Sequence, residues 1–210
     1  MFSTPEGLRE ASVSCILEDR QGTVWIGTAG GGLHRLSGDR ISVETGVESA
    51  HILSLAEDPD GWLWVGTAGD GVFRGESGRF RPVEGSFPIV LSMATDERGA
   101  MWIGALQSVQ RHAQGSTEAI RPLTGLNATW IDAGDGAVWF SDAFGGVVRG
   151  RDDTALRFAE NHGLPPPALV AVKANPDGSV WVGTHLSGLI HFDGKRAGAV
   201  TTAEGLCADS

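Results

Sequence analysis

Two side chains in this 210-residue chain stand where their types could do acid–base chemistry: Asp142 in "VWFSDAFGG" and His185 in "VWVGTHLSG". A carboxylate next to an imidazole is a minimal set for proton abstraction, with the ring taking the proton and the carboxylate orienting it. Both lie near the same phase of a recurring motif, in consecutive copies of it. Gln107, Phe144 and His162 also break the motif's pattern, so they join the candidates for a ligand contact. Other chemistries can be set aside from the residues alone. The run Gly30-Gly31-Gly32 suggests a phosphate cradle, but such a loop needs a helix N-terminus behind it, and Leu33-His34-Arg35-Leu36 leads into another turn. Repeated acidic turns such as Asp58-Pro59-Asp60-Gly61 suggest calcium, yet four residues offer too few oxygens for a site that wants six to eight. His185 and His191 on one hairpin lack a third and fourth metal ligand. No catalytic set, metal site or cofactor is expected.

The elements that position these residues follow from the repeat. Trp25, Trp64, Trp102, Trp139 and Trp181 each follow a Gly by three positions, at spacings of 39, 38, 37 and 42. A period near forty fits a four-stranded propeller blade. The sequence predicts an all-β fold, a β-propeller of five four-stranded antiparallel blades forming one domain over residues 1–210. The repeats fall at about 13–50, 51–88, 89–127, 128–167 and 168–210. In repeat two, 51–58 alternates as an innermost strand A. Asp58-Pro59-Asp60-Gly61 then has the residue preferences of a type I turn. Trp62–Thr67 forms strand B, and Val72-Phe73-Arg74 forms strand C after a glycine turn. Strand D is the weakest, and Pro82 within it fits an edge strand, where a missing N–H breaks no ladder.

The 31 glycines and 9 prolines agree with many turns, and no apolar run is long enough to span a membrane. A net charge of −10 argues against nucleic acid, whose phosphates call for a basic surface. The opening "MFSTPEGLRE" lacks the basic and apolar regions of a secretory signal. Cys15 and Cys207 form no disulfide framework.

The pattern of strand, Asp-x-x-Gly, apolar, Trp, Ile/Val, Gly-Thr and Gly-Gly-Leu-x-Arg, as in "ILEDRQGTVWIGTAGGGLHRL" (16–36) and "LAEDPDGWLWVGTAGDGVFR" (55–74), resembles the two-component regulator propeller repeat of bacterial sensor proteins. The resemblance implies an extracytoplasmic, non-enzymatic input module. Such a module binds a small ligand or a protein partner on the face carrying the B–C and D–A loops. It also implies rings of seven blades where five repeats are present here. Repeat three departs at Ala105 and Leu106-Gln107-Ser108, and repeat four at Ser141-Asp142. "GAVWFSDAFGGVVRG" is also similar to blades of the virginiamycin B lyase family, which makes a lyase the alternative and puts Asp142 with His185 in its active site. A third alternative is a scaffold.

On the B–C/D–A face the ligand candidates are Asp142, His185, Gln107, Phe144 and Trp130. Trp130 is aligned with Ile16, Leu55, Met93 and Val172 of the other A strands, which favours a core role or a stacking wall beside the channel. Arg35, Arg74, Arg111 and Arg149, with His191 in the fifth repeat, are expected to pair with the turn carboxylates of their own blades. Apolar inner strands favour a closed ring, which would bring Val170 and Val172 to Val13 and Ile16 and set residues 1–4 beside 199–202. A closed ring predicts a monomer; a part of a larger propeller predicts self-association.

Overall fold

The computed structural model describes residues 7–120, 123, 125–142, 146–151, 154–164 and 169–208, with backbone only for 118, 119, 169 and 170. These residues form five four-stranded antiparallel sheets, each in simple meander order. Blade one contains β1 (Val13–Glu18), β2 (Val24–Thr28), β3 (Leu33–Ser37) and β4 (Arg40–Val43). Blade two contains β5 (Ile52–Glu57), β6 (Leu63–Thr67), β7 (Val72–Gly75) and β8 (Arg81–Pro82). Blade three contains β9 (Val90–Thr95), β10 (Met101–Ala105), β11 (Ser108–Ala113) and β12 (Ser116–Ala119). Blade four contains β13 (Ala128–Gly134), β14 (Ala137–Asp142), β15 (Val147–Arg151) and β16 (Thr154–Phe158), and blade five β17 (Leu169–Ala174), β18 (Val180–Thr184), β19 (Leu189–Phe192) and β20 (Ala197–Val200). Residues 22–36 are two strands of a hairpin, as the missing helix pattern requires. Pro82 lies on the outermost strand of its blade, where its absent N–H costs no bond.

The first four blades each bury their tryptophan against the blade that follows. Trp25 packs with Ile52, Leu63 and Phe80, and Trp64 with Val90, Met101 and Ile103. Trp102 packs with Ile131 and Phe140, and Trp139 with Val172, Val182 and Phe192. Fully burying a large apolar side chain stabilises by about 1.5–3 kcal/mol, so these four interfaces carry much of the fold. Their closeness explains the motif glycine. A Cβ on Gly27 would stand 2.7 Å from Ile52 Cγ2 of the next blade and 2.5 Å from Cys15 Sγ. Only a residue without a side chain fits between them.

The ring expected from the apolar inner strands does not close. Among the described residues, packing runs from β1 to β5, β9, β13 and β17 without a return from β17 to β1. Val172 packs on Trp139 instead of on blade one, while Ile16 is 65% exposed. The Val170 side chain, and residues 1–4 with their proposed place beside 199–202, lie outside the described residues. The physical reason lies in the two end faces. On the Ile16 side of blade one, Leu8 is the entering-segment residue, among those described, that packs on Ile26 and Ile41. Trp181, at the other end, is half-buried, where its four counterparts, each packed on another blade, are buried.

Register also corrects one alignment. Ile131 pairs with Phe140, as Ile16 does with Ile26, Leu55 with Val65, Met93 with Ile103 and Val172 with Val182. Trp130 instead pairs with Ser141, the place that Cys15, Ser54, Ser92 and Ala171 hold opposite the motif glycine. The β13–β14 turn is one residue shorter than its counterparts, so Ile131 stands eight residues before Trp139, where Ile16, Leu55, Met93 and Val172 stand nine before their own tryptophans.

Candidate functional site

The Asp turns form as the sequence predicts. The backbone N–H of Gly22, Gly61, Gly99 and Gly178 donates to the carbonyl of Asp19, Asp58, Asp96 and Asn175 respectively. The carboxylate also reaches inward, accepting the indole N–H of the residue six positions later. Trp25, Trp64 and Trp102 donate to Asp19, Asp58 and Asp96, each at 2.8 Å. Sequence reasoning missed this bond, although the constant spacing of six was visible. The expected arginine pairing holds for Arg74 with Asp58 at 2.7 Å, Arg149 with Asp135 at 3.1 Å and, more loosely, Arg111 with Asp96 at 4.0 Å. Arg35 departs from it and donates to Ser77 of blade two, while His191 meets Ser179 of its own turn.

At the opposite end, the B–C loops carry the predicted site residues. Gln107 occupies a two-residue turn in the left-handed region, and its N–H donates to Asn127 Oδ1 at 2.7 Å. Asn127 in turn donates its own N–H to Asp142 Oδ1 at 3.2 Å. Asn127 therefore joins Gln107 of blade three to Asp142 of blade four.

Asp142 stands where Thr28, Thr67 and Thr184 stand in other blades. Those hydroxyls donate to the carbonyl of Gly32, Gly71 and Gly188. The Asp142 carboxylate is buried and receives Arg157 Nη2 at 2.6 Å. Arg157, not His185, is its ionic partner. His185 is exposed on the β18–β19 turn, beside Leu186, which is 80% exposed. Phe144 lies outside the described residues.

Trp130 is 49% exposed on the innermost strand of blade four. Ser141 fills the space opposite it that a glycine leaves elsewhere, and Thr129 Oγ1 meets Ser141 Oγ at 3.0 Å. The indole is therefore neither core nor covered. It stands at the same end of the blade as Asp142, Asn127 and Gln107, with Leu106 exposed on the neighbouring turn.

Clefts occur at both ends of the blades. One of about 270 Å³ is lined by Arg9, Gly31, Val43, Glu48 and Ser49 on the loop face. A larger one of about 560 Å³ lies between blades three and four on the Asp-turn face, lined by Arg98, Trp102, Arg111, Asp135 and Arg151. Among the described residues no group of three or more His, Cys, Asp or Glu could hold a metal, and no helix is long and apolar enough to cross a membrane.

Five meander blades arranged Trp face to inner strand define the chain as β-propeller in class. Within that class, residues 7–30 and 46–69 match the two component regulator propeller repeat. No curated protein sequence matches the chain. Among solved structures, a catalytically inactive virginiamycin B lyase from Staphylococcus aureus with quinupristin is 18% identical. It superposes with a TM-score of 0.73 over 91% of this chain and 70% of its own. The extracellular domain of a hybrid two component system from B. thetaiotaomicron is 16% identical, with a TM-score of 0.64, over all of this chain and 38% of its own. A surface component of the type-IX secretion system of Porphyromonas gingivalis is 14% identical, with a TM-score of 0.65, over 95% of this chain and 35% of its own. At these identities the likeness shows the fold alone.

Proposed function

We propose that the chain is a non-enzymatic recognition module, an extracytoplasmic sensory input of a bacterial signalling protein, which takes its ligand or protein partner on the B–C/D–A loop face. The observation that carries this reading is the repeat match at residues 7–30 and 46–69, together with the likeness to an extracellular two component domain. The recognition surface in this reading is Trp130 with Gln107, Leu106, His185 and Leu186 of the B–C turns, and the buried, ion-paired Asp142 as its fixed polar group. An exposed indole beside polar groups is a contact surface of the kind that anchors ligands and partners. The open end faces also favour self-association of the isolated chain. The test is a ligand screen by thermal shift and tryptophan fluorescence, repeated on Trp130→Ala. A hit that survives Trp130→Ala unchanged removes the loop-face site from the reading.

The lyase reading is supported by the superposition on the lyase of S. aureus. Its weak point is the pairing: Asp142 is committed to Arg157, and His185 stands in solvent without a carboxylate partner. Incubation with virginiamycin B, followed by mass spectrometry, decides it. Turnover that is lost in His185→Ala establishes the enzyme.

A further inference from the structure

In blade two, one oxygen gathers three donors. Asp58 Oδ2 accepts from Trp64 Nε1 at 2.8 Å and from Arg74 Nε and Nη2 at 2.9 and 2.7 Å. Blade four keeps the donors and loses the oxygen. Trp139 and Arg149 are direct cross-strand partners, as Trp64 and Arg74 are. The Arg149 guanidinium lies 5.5 Å from the Trp139 ring centre, against 5.3 Å for Arg74 and Trp64. Yet Trp139 Nε1 and Arg149 Nε are both buried with no partner, and Trp139 is wholly inaccessible. An unpaired buried donor keeps its full desolvation cost, and one of these two belongs to a cation.

The cause is the β13–β14 hairpin. Asp132 pairs with Trp139 where Ala56 pairs with Trp64, so Gly134 stands at the register position of Asp58. The turn closes one residue sooner, with Asp135 and Gly136 both at positive φ. Neighbouring carboxylates are committed elsewhere. Asp135 takes Arg149 Nη2 at 3.1 Å, and Asp132 takes Lys173 Nζ and the Ala174 N–H, both at 2.8 Å.

We propose that blade four binds a small monovalent anion, of the size of chloride or formate, between Trp139 Nε1 and Arg149 Nε, at the place equivalent to Asp58 Oδ2. Indole and guanidinium can only donate, so the ligand must accept. Arg149 already shares its charge with Asp135, which favours a single negative charge over a dianion. An ion-filled blade four is a ligand-dependent version of the internally filled blades one to three.

The experiment follows thermal unfolding of the whole chain while sodium chloride or formate replaces sodium gluconate at constant ionic strength, so that screening is unchanged. The expected result is a saturable rise in Tm on the order of 2–4 °C with chloride or formate and none with gluconate. Gly134→Asp supplies a carboxylate from the chain and is expected to abolish the anion response. Its Cβ would stand 3.1 Å from Ala174 Cβ. Should that variant fail to fold, chloride-35 line width on the unaltered chain replaces it, with broadening that formate competes away as the supporting result. Equal Tm in all three anions, or line width without broadening, overturns the proposal and indicates donors left unpaired or bound to water.

Discussion

Asp58 Oδ2 accepts the indole N–H of Trp64 at 2.8 Å and, within the same blade, the guanidinium of Arg74 at 2.7 Å. One side chain thereby closes the turn, orients the tryptophan that packs on the next blade, and neutralises the cation beside it. The repeat is a polar lock placed behind an apolar interface.

Removing that lock takes the acceptor from three donors, the buried Trp64 indole N–H and two of the partly exposed Arg74 guanidinium. Asp58→Ala is expected to destabilise the chain by about 1–3 kcal/mol, the cost of leaving the buried Trp64 indole N–H unsatisfied while the partly exposed Arg74 turns to water. Urea unfolding measures it. A loss within about 0.5 kcal/mol would show that the bond is ornamental.

Acid acts on the same group. Burial pushes the Asp58 carboxyl up, but hydrogen bonds from Trp64, Trp62 and Arg74 outweigh it and hold the group below its ordinary value. A depressed carboxyl contributes stability that is present above its unfolded value near pH 3.8 and is lost as pH falls through the folded one. The unaltered chain is expected to lose stability below about pH 4 more steeply than Asp58→Asn. Urea midpoints against pH for both chains check this.

Two histidines act at milder pH. His34 is lowered first by burial and then by the Arg9 charge, against an opposing bond to Gly32; His112 is lowered by burial and by Arg74. Folding therefore favours their neutral forms, so their contribution is complete above their ordinary value of 6.5 and falls as pH drops below it. His34 Nε2 accepts the Arg9 N–H at 3.0 Å, which a protonated ring could not do. The expected result is a fall in Tm from pH 7 to pH 5, made shallower by His34→Gln, whose carbonyl can still accept. Unchanged slopes in the two chains would remove His34 from the account.

The cysteines should separate cleanly. Burial pushes the Cys15 thiol up to about 11, against weaker opposing bonds to Ser14 and Gly27, whereas Cys207 is exposed. Because the thiolate is the nucleophile, iodoacetamide at pH 8 is expected to label Cys207 at least tenfold faster. Peptide mass spectrometry over time reads the ratio, and equal rates would show that blade one opens on that timescale.

The blades were legible because the Asp turn, the tryptophan and the glycine pair each recur with one local cause. Gly27 and Gly66 are forced by the next blade's strand, and Pro82 by an edge. What the sequence hid depended on register or on distant partners. Trp130 was placed one position out because the turn after it is one residue shorter than in the other blades, a deletion that the residue types do not announce. Asp142 looked like a lone acid because Arg157, fifteen residues away, carries no motif. The pairing of Asp142 with His185 rested on phase alone, and phase does not say which way a side chain turns. Closure was misjudged for a related reason, since an inner strand reads as apolar whether or not a neighbour covers it.

That last point gives a prediction about the isolated chain. Ile16 is 65% exposed on one end face, and Trp181 is half-buried on the other, stacked on His191 with ring centres 4.6 Å apart. Every internal interface pairs a tryptophan face with an inner-strand face, so the two end faces are complementary to each other, head to tail. Contact between unlike surfaces that does not close a ring continues into open oligomers. Light scattering is expected to show a mass above the 22.0 kDa of one chain, growing with concentration. Ile16→Asp blocks one end and Trp181→Arg the other. Each alone is expected to be monomeric, while an equimolar mixture forms a one-to-one pair through the two faces left intact. If Ile16→Asp abolishes association while Trp181→Arg leaves it untouched, the contact is between like faces, and the head-to-tail account is wrong. A concentration-independent monomer for the unaltered chain would show that the end faces are stable in water, and the head-to-tail account would fall.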